Sequence, residues 1–225
     1  MNKKPKQFDH ILLFVVVALM GVGLVMVYSA SSITSLAQMQ DGLYYFKRQF
    51  MWVVIGLLAM LATSTIPYNK LEKLSVPLLG IAIFLLILVL IPGVARDIGG
   101  AKRWIRFGGI GLQPSEFAKI CFVLYMAHSI SSRQTVIKSF LHGMLPDLFV
   151  TALMFLLIYK EPNLSTATLI GGTYFTMYFL GNGSLANLGG LAAGGVVLVT
   201  ALIFQAGYRM RRFWAFIDPW ENAKT

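Results

Sequence analysis

Gly100-Ala101-Lys102-Arg103-Trp104-Ile105-Arg106-Phe107-Gly108-Gly109, continued by Leu112-Gln113-Pro114-Ser115-Glu116-Phe117-Ala118-Lys119, is a basic, glycine-flanked loop that runs into a helix start. Strongly apolar segments lie on both sides of it. Such a stretch reads as the connection between two membrane-spanning helices. Charge beside lipid is expensive and marks function, so the site is sought here. The composition agrees: 57% of the 225 residues are hydrophobic and 12% are charged. A soluble domain carries about a quarter charged residues, so the chain is read as a polytopic membrane protein. Its net charge of +10 comes without a helix-turn-helix, zinc or base-stacking pattern. No nucleic acid is expected; anionic lipid head groups are the better partner for that charge. The single cysteine, Cys121, lies in an apolar run, which excludes disulfides and thiolate metal sites within the chain.

Working outward, seven segments approach the roughly 20 residues needed to cross a bilayer: Ile11–Tyr28, Gln49–Thr65, Leu74–Ile91, Pro114–Ile130, Gly143–Tyr159, Leu164–Gly181 and Gly189–Ala206. The first is preceded by Lys3, Lys4 and Lys6 and followed by Ser29-Ala30-Ser31, which looks like a signal-peptide cleavage site. It exceeds the usual apolar core of about 7–15 residues, so it is read as a retained helix. Connections are short except for Ser29–Arg48 and Pro92–Gln113. The fold class is all-α, with about seven transmembrane helices in one membrane domain over residues 1–225. Gly171, Gly172, Gly189, Gly190, Gly194 and Gly195 are assigned to close helix packing.

The N-terminal lysines place that end in the cytoplasm. The loop Pro92–Gln113 and the C-terminus then lie outside. This orientation leaves the larger basic set outside, including Lys47, Arg48, Arg96, Lys102, Arg103, Arg106, Lys160, Arg209, Arg211 and Arg212. An anionic ligand on the outer face would give those residues a purpose.

The motifs point to a family. Met26-Val27-Tyr28-Ser29-Ala30-Ser31, Phe46-Lys47-Arg48-Gln49, Leu88-Val89-Leu90-Ile91-Pro92-Gly93, Lys102-Arg103-Trp104-Ile105 and Gln113-Pro114-Ser115-Glu116 occur in order along the chain. Together they resemble the SEDS family (shape, elongation, division and sporulation) of FtsW, RodA and SpoVE, and the FtsW and SpoVE branches more than RodA. The resemblance implies a bacterial plasma-membrane glycosyltransferase that polymerises lipid II, the lipid-linked disaccharide-pentapeptide, into peptidoglycan strands during division, elongation or sporulation. It implies a class B penicillin-binding protein as transpeptidase partner, with other division or elongation proteins, and it is compatible with a divalent cation. No cofactor is evident, and His10, His128 and His142 lack the spacing of metal ligands.

The resemblance also assigns this chain to the N-terminal part of a fold of about ten helices. The family's catalytic aspartate then falls beyond Thr225, in the large outer loop after the seventh helix. Asp218, in Ile217-Asp218-Pro219-Trp220, matches only the start of that loop. On this reading the chain alone does not polymerise. A precursor transporter or flippase, or a non-catalytic division scaffold, is the alternative.

Lys102, Arg103, Trp104, Arg106, Glu116 and Lys119 are the candidate substrate-binding residues. Trp104 either orients sugar and diphosphate or belongs to an interfacial aromatic belt. Arg103 and Arg106 either fork onto diphosphate oxygens or are simply solvated. Glu116 suits a helix N-terminus, and Lys119 either snorkels or, as the resemblance implies, serves the site. Glu161-Pro162-Asn163-Leu164-Ser165 departs from the family's usual Pro-Asp-Leu-Gly, with Asn163 for aspartate and Ser165 for glycine. It is read as helix punctuation. Asp147, behind Pro146, is an intramembrane acid close enough to a helix end for solvation.

Overall fold

The computed structural model describes residues 9–98, 101–107, 110–205, 207 and 210. Seven α-helices and a small sheet follow in order: α1 His10–Met39, α2 Tyr44–Ser64, α3 Tyr68–Leu90, strands β1 Arg96–Ile98, β2 Ala101–Phe107 and β3 Ile110–Leu112, then α4 Pro114–Ser132, α5 Leu145–Lys160, α6 Leu164–Leu180 and α7 Leu185–Phe204. They group into two compact units, Met1–Pro67 and Tyr68–Thr225.

The first unit is a helical hairpin. Asp9 caps α1 by accepting the Leu12 N–H at 2.9 Å, and α1 then runs for 30 residues, straight through Ser29-Ala30-Ser31. The expected long connection Ser29–Arg48 is thus largely helix. Serine does not break a helix here because its hydroxyl turns back on the preceding turn, as Ser31 does by donating to the Val27 carbonyl at 2.6 Å. The helix ends where Gln40 adopts a left-handed conformation, φ 58°. Asp41 then organises the turn: it accepts from the Leu43 N–H and from Lys47 Nζ, both at 2.9 Å. The Lys47 hydrogen bond, helped by the Leu43 amide, holds the Asp41 carboxyl below its ordinary range.

The second unit carries the core. Helix α3 starts six residues before the apolar run suggested, so Lys70, Glu72 and Lys73 are helical; polar residues in a first turn blur a boundary read from hydropathy. Its buried residues Ser75, Leu79, Ala82, Leu86 and Val89 form one stripe at alternating four- and three-residue steps. The stripe meets Ala118, Phe122 and Met126 of α4. Among the described residues five helices are long and apolar enough to cross a bilayer: α1, α2, α3, α5 with the turn before it, and α7. Helices α4 and α6 fall outside that set. Helix α6 has only 17 residues, and α4 carries Glu116, Lys119 and His128. Both contribute fully buried side chains to the core, so protein rather than lipid surrounds much of their surface.

A π-helical turn, Phe140–Met144, precedes α5 and was not expected. Gly143 is required there, because a Cβ would collide with the carbonyls of Val136 and Ile137. Tyr178 of α6 donates to the Ile137 carbonyl at 2.5 Å and Tyr174 to the Met144 carbonyl at 3.1 Å, tying the segment down.

Two further expectations change. The loop after α3 folds as a three-stranded antiparallel ribbon, with Trp104 opposite Arg96 and Ile105 opposite Leu112. And a Cβ at Gly171, Gly172, Gly189, Gly190, Gly194 or Gly195 would meet nothing within 4 Å. Those glycines do not serve close packing among the described residues. Gly171, Gly172 and Gly195 instead line an apolar groove of about 690 Å³ among α5, α6 and α7.

Candidate functional site

The ribbon, the first turn of α4 and the turn between α5 and α6 assemble the site. Helix α4 begins as its sequence requires: Gln113 is the N-cap, Pro114 opens the helix, and Glu116 sits in the first turn, where its charge complements the helix dipole. One turn on, Lys119 pairs with Glu116 at 2.8 Å. Lys119 is 30% and Glu116 56% exposed, so this pair is open to a ligand and adds little stability.

On β2 the alternation of a strand puts positions 102, 104 and 106 on one face and 103, 105 and 107 on the other. Ile105 is buried and Arg103 reaches inward as well. Its Nε donates to the Glu161 carbonyl at 2.9 Å, and its Nη2 donates to the Pro162 carbonyl. Arg103 therefore straps the ribbon to the α5–α6 turn. Trp104 is half-buried on the opposite face, near Gly111, where a Cβ would come within 3.2 Å of the indole. The side chains of Lys102 and Arg106, and all of Asp218, lie outside the described residues. Among the described residues no cluster of three His, Cys, Asp or Glu side chains is placed to hold a metal ion.

Asn163 acts as the punctuation its sequence suggested. Its side chain caps α6 by accepting the Thr166 N–H at 3.3 Å. The residue before the proline is the one the sequence reading passed over. Glu161 is fully buried, and among the described residues neither carboxyl oxygen has a hydrogen-bond partner. Burial pushes its carboxyl up to about 8, against the opposing pulls of the Arg103 guanidinium and the nearby Ser115 hydroxyl. Glu161 was legible in one respect. Asp147, Thr151, Met154, Ile158 and Glu161 follow each other at four- and three-residue steps, and all five are buried, so the acid closes the buried stripe of α5.

Asp147, at the other end of that stripe, is 1% exposed, which overturns the expectation of solvation. Its Oδ1 accepts from Ser129 Oγ at 2.6 Å, Arg133 Nη2 at 3.1 Å and Tyr125 Oη at 3.2 Å. Helix α4 supplies all three donors or stands next to them, so the solvent route is closed by its own neighbour.

Comparison with known proteins follows this geometry. Residues 10–225 match the family described as "Cell cycle protein", the FtsW, RodA and SpoVE proteins. The chain is 38% identical over 213 residues to a probable peptidoglycan glycosyltransferase FtsW of Trichlorobacter lovleyi, covering 95% of this chain and 56% of that protein. It is 34% identical over 222 residues to stage V sporulation protein E of Bacillus subtilis, covering 99% of this chain and 61% of that protein. The chain thus spans about three fifths of the length of these relatives. Two solved structures share the fold. One is a chain of a peptidoglycan synthase complex (TM-score 0.72, 24% identity, 96% of this chain and 60% of that one). The other is an aspartate-to-alanine mutant of the rod shape determining protein RodA of Thermus thermophilus (TM-score 0.69, 24% identity, 89% of this chain and 60% of that one). The chain belongs to the FtsW/RodA/SpoVE family of multi-pass membrane proteins.

Proposed function

We propose that this chain forms the precursor-binding part of a peptidoglycan glycosyltransferase that polymerises lipid II on the outer face of the bacterial plasma membrane. The observation that carries the reading is the accessible Glu116–Lys119 pair at the start of α4, in the helix that follows the ribbon bearing half-buried Trp104. A sugar hydroxyl attacking the anomeric carbon of the donor displaces a lipid diphosphate, and the departing charge needs fixed cations. Lys119 supplies one at a helix N-terminus, where anions are already favoured. Lys102 and Arg106 belong to the same ribbon and add positive charge. Trp104 offers a flat apolar surface for a sugar ring. Arg103, occupied by two carbonyls, holds the ribbon in place. The orientation proposed with this reading has the N-terminus in the cytoplasm and the ribbon outside, and the partner is a transpeptidase of the penicillin-binding class.

The test is binding of undecaprenyl diphosphate by the purified chain in nanodiscs. Lys119→Ala and Trp104→Ala should each weaken binding about tenfold or more, the equivalent of roughly 1.4 kcal/mol or more, with helicity unchanged. Equal affinity in wild type and both variants would overturn the reading and leave snorkelling and an aromatic belt as the roles of these residues.

A further inference from the structure

A fully buried carboxyl without a hydrogen-bond partner demands an explanation, since buried polar groups in native proteins are almost always paired. Among the described residues Glu161 is such a group, and it stands beside a guanidinium whose Nε and Nη2 are engaged elsewhere. Arg103 bonds the main-chain carbonyls of Glu161 and Pro162, across 58 and 59 residues of sequence, and leaves the carboxyl alone. An ionised carboxylate would be the stronger acceptor, because charge-assisted, bidentate Arg–carboxylate bonds are about twice as strong as those to neutral carbonyls. The arrangement therefore suits a Glu161 that keeps its proton.

We propose that Glu161 is a positioning residue for the ribbon: as a neutral acid it leaves Arg103 strapped to the α5–α6 turn, and as a carboxylate it takes the guanidinium off the two carbonyls and loosens β2 with Trp104. The other groups around Glu161 do not compete for this role. On α4, Ser115 is a buried, uncharged hydroxyl: it accepts from Gln113 Nε2 at 3.1 Å, and its own O–H favours the Glu161 carboxylate less than Arg103 does; Glu116 and Lys119 neutralise each other. On α5, Lys160 is exposed. The first turn of α6, Leu164-Ser165-Thr166-Ala167, carries no charge. Among the described side chains of the ribbon, Arg103 is the charge acting on Glu161. The latch stands apart from the lipid II reading, because what it moves is the ribbon itself.

The experiment follows Trp104 emission against pH in a full-length chain whose other tryptophans, Trp52, Trp214 and Trp220, are replaced by phenylalanine. Between pH 6 and pH 10 the emission should shift in one transition with its midpoint near 8, the position to which burial pushes Glu161. Glu161→Gln keeps the shape without the titration and should abolish the shift. It also separates Glu161 from the N-terminal amine, which titrates in the same region. Arg103→Gln should move the midpoint to higher pH, because the guanidinium favours the charged form. Flat emission in the parent chain, with its helical content equal to that of wild type, overturns the latch. An unchanged transition in Glu161→Gln, or an unchanged midpoint in Arg103→Gln, overturns it equally.

Discussion

The two ends of α5 put the same kind of residue on the same buried stripe and treat it in opposite ways. At the Pro146 end, Asp147 has three donors on Oδ1, from Tyr125, Ser129 and Arg133, and among the described residues none on Oδ2. At the Pro162 end, Glu161 has none on either oxygen among the described residues, although an arginine is at hand. The first acid is part of the structure's fastening: its partners come from α4 and its helix is tied through Tyr174 to α6. The second is a group the fold has buried without fastening it, and burial raises its proton affinity. Removing one partner from a buried, hydrogen-bonded pair is costly because the other is left uncompensated. An orphaned acid stores the capacity to change state.

Removing Asp147 should have the largest effect. Asp147→Ala leaves Arg133 half in the protein without its counter-charge, and breaking a buried pair in this way costs about 3 kcal/mol or more. Thermal unfolding in detergent should show a clear loss of stability. Adding Arg133→Met to Asp147→Ala should recover much of it, since no charge is then left unpaired. If the double variant is as unstable as the single one, the pair is not what fastens α4 to α5.

Glu161→Gln should act in the opposite direction, and only as pH rises. Because the folded carboxyl holds its proton up to about 8, the folded state binds more protons than the unfolded one between the ordinary carboxylate pKa and that value. The favourable contribution is complete below the unfolded pKa and disappears as pH rises through about 8. Glutamine removes this dependence. The variant should match wild type near pH 4 and gain on it steadily as pH rises to 8–9. A constant difference across that range would show that the acid is not held neutral, and the contrast with Asp147 would fail.

The sequence revealed the two ends unequally. The apolar runs gave the seven helices, because spanning a bilayer imposes length and composition together. Helix ends were less legible: Ser29–Met39 continues α1 and Tyr68–Lys73 begins α3, since serines and charged residues are neutral to a helix that leaves the apolar layer. The ribbon had a readable sign that was passed over. Two-residue Gly-Gly steps at 99–100 and 108–109 separate the strand segments, which is a hairpin signature. The Glu116–Lys119 pair followed from i,i+3 spacing alone. The strap from Arg103 could not be read, because its partners are backbone carbonyls 58 and 59 residues away, and carbonyls carry no sequence signature. Grouping Arg103 with its neighbour Trp104 overlooks the period of a strand, which sends neighbours to opposite faces.

The latch requires that Glu161 hold its proton at pH 7 while Arg103 stays strapped to the two main-chain carbonyls. Infrared difference spectroscopy tests it most directly, by recording the carbonyl stretch of a protonated carboxylic acid in the intact chain at pH 7 and at pH 9.5. The account requires a band at pH 7 that is lost at pH 9.5 and is missing at both values in Glu161→Gln. A band unaffected by Glu161→Gln, or no protonated-acid band at pH 7, would contradict it.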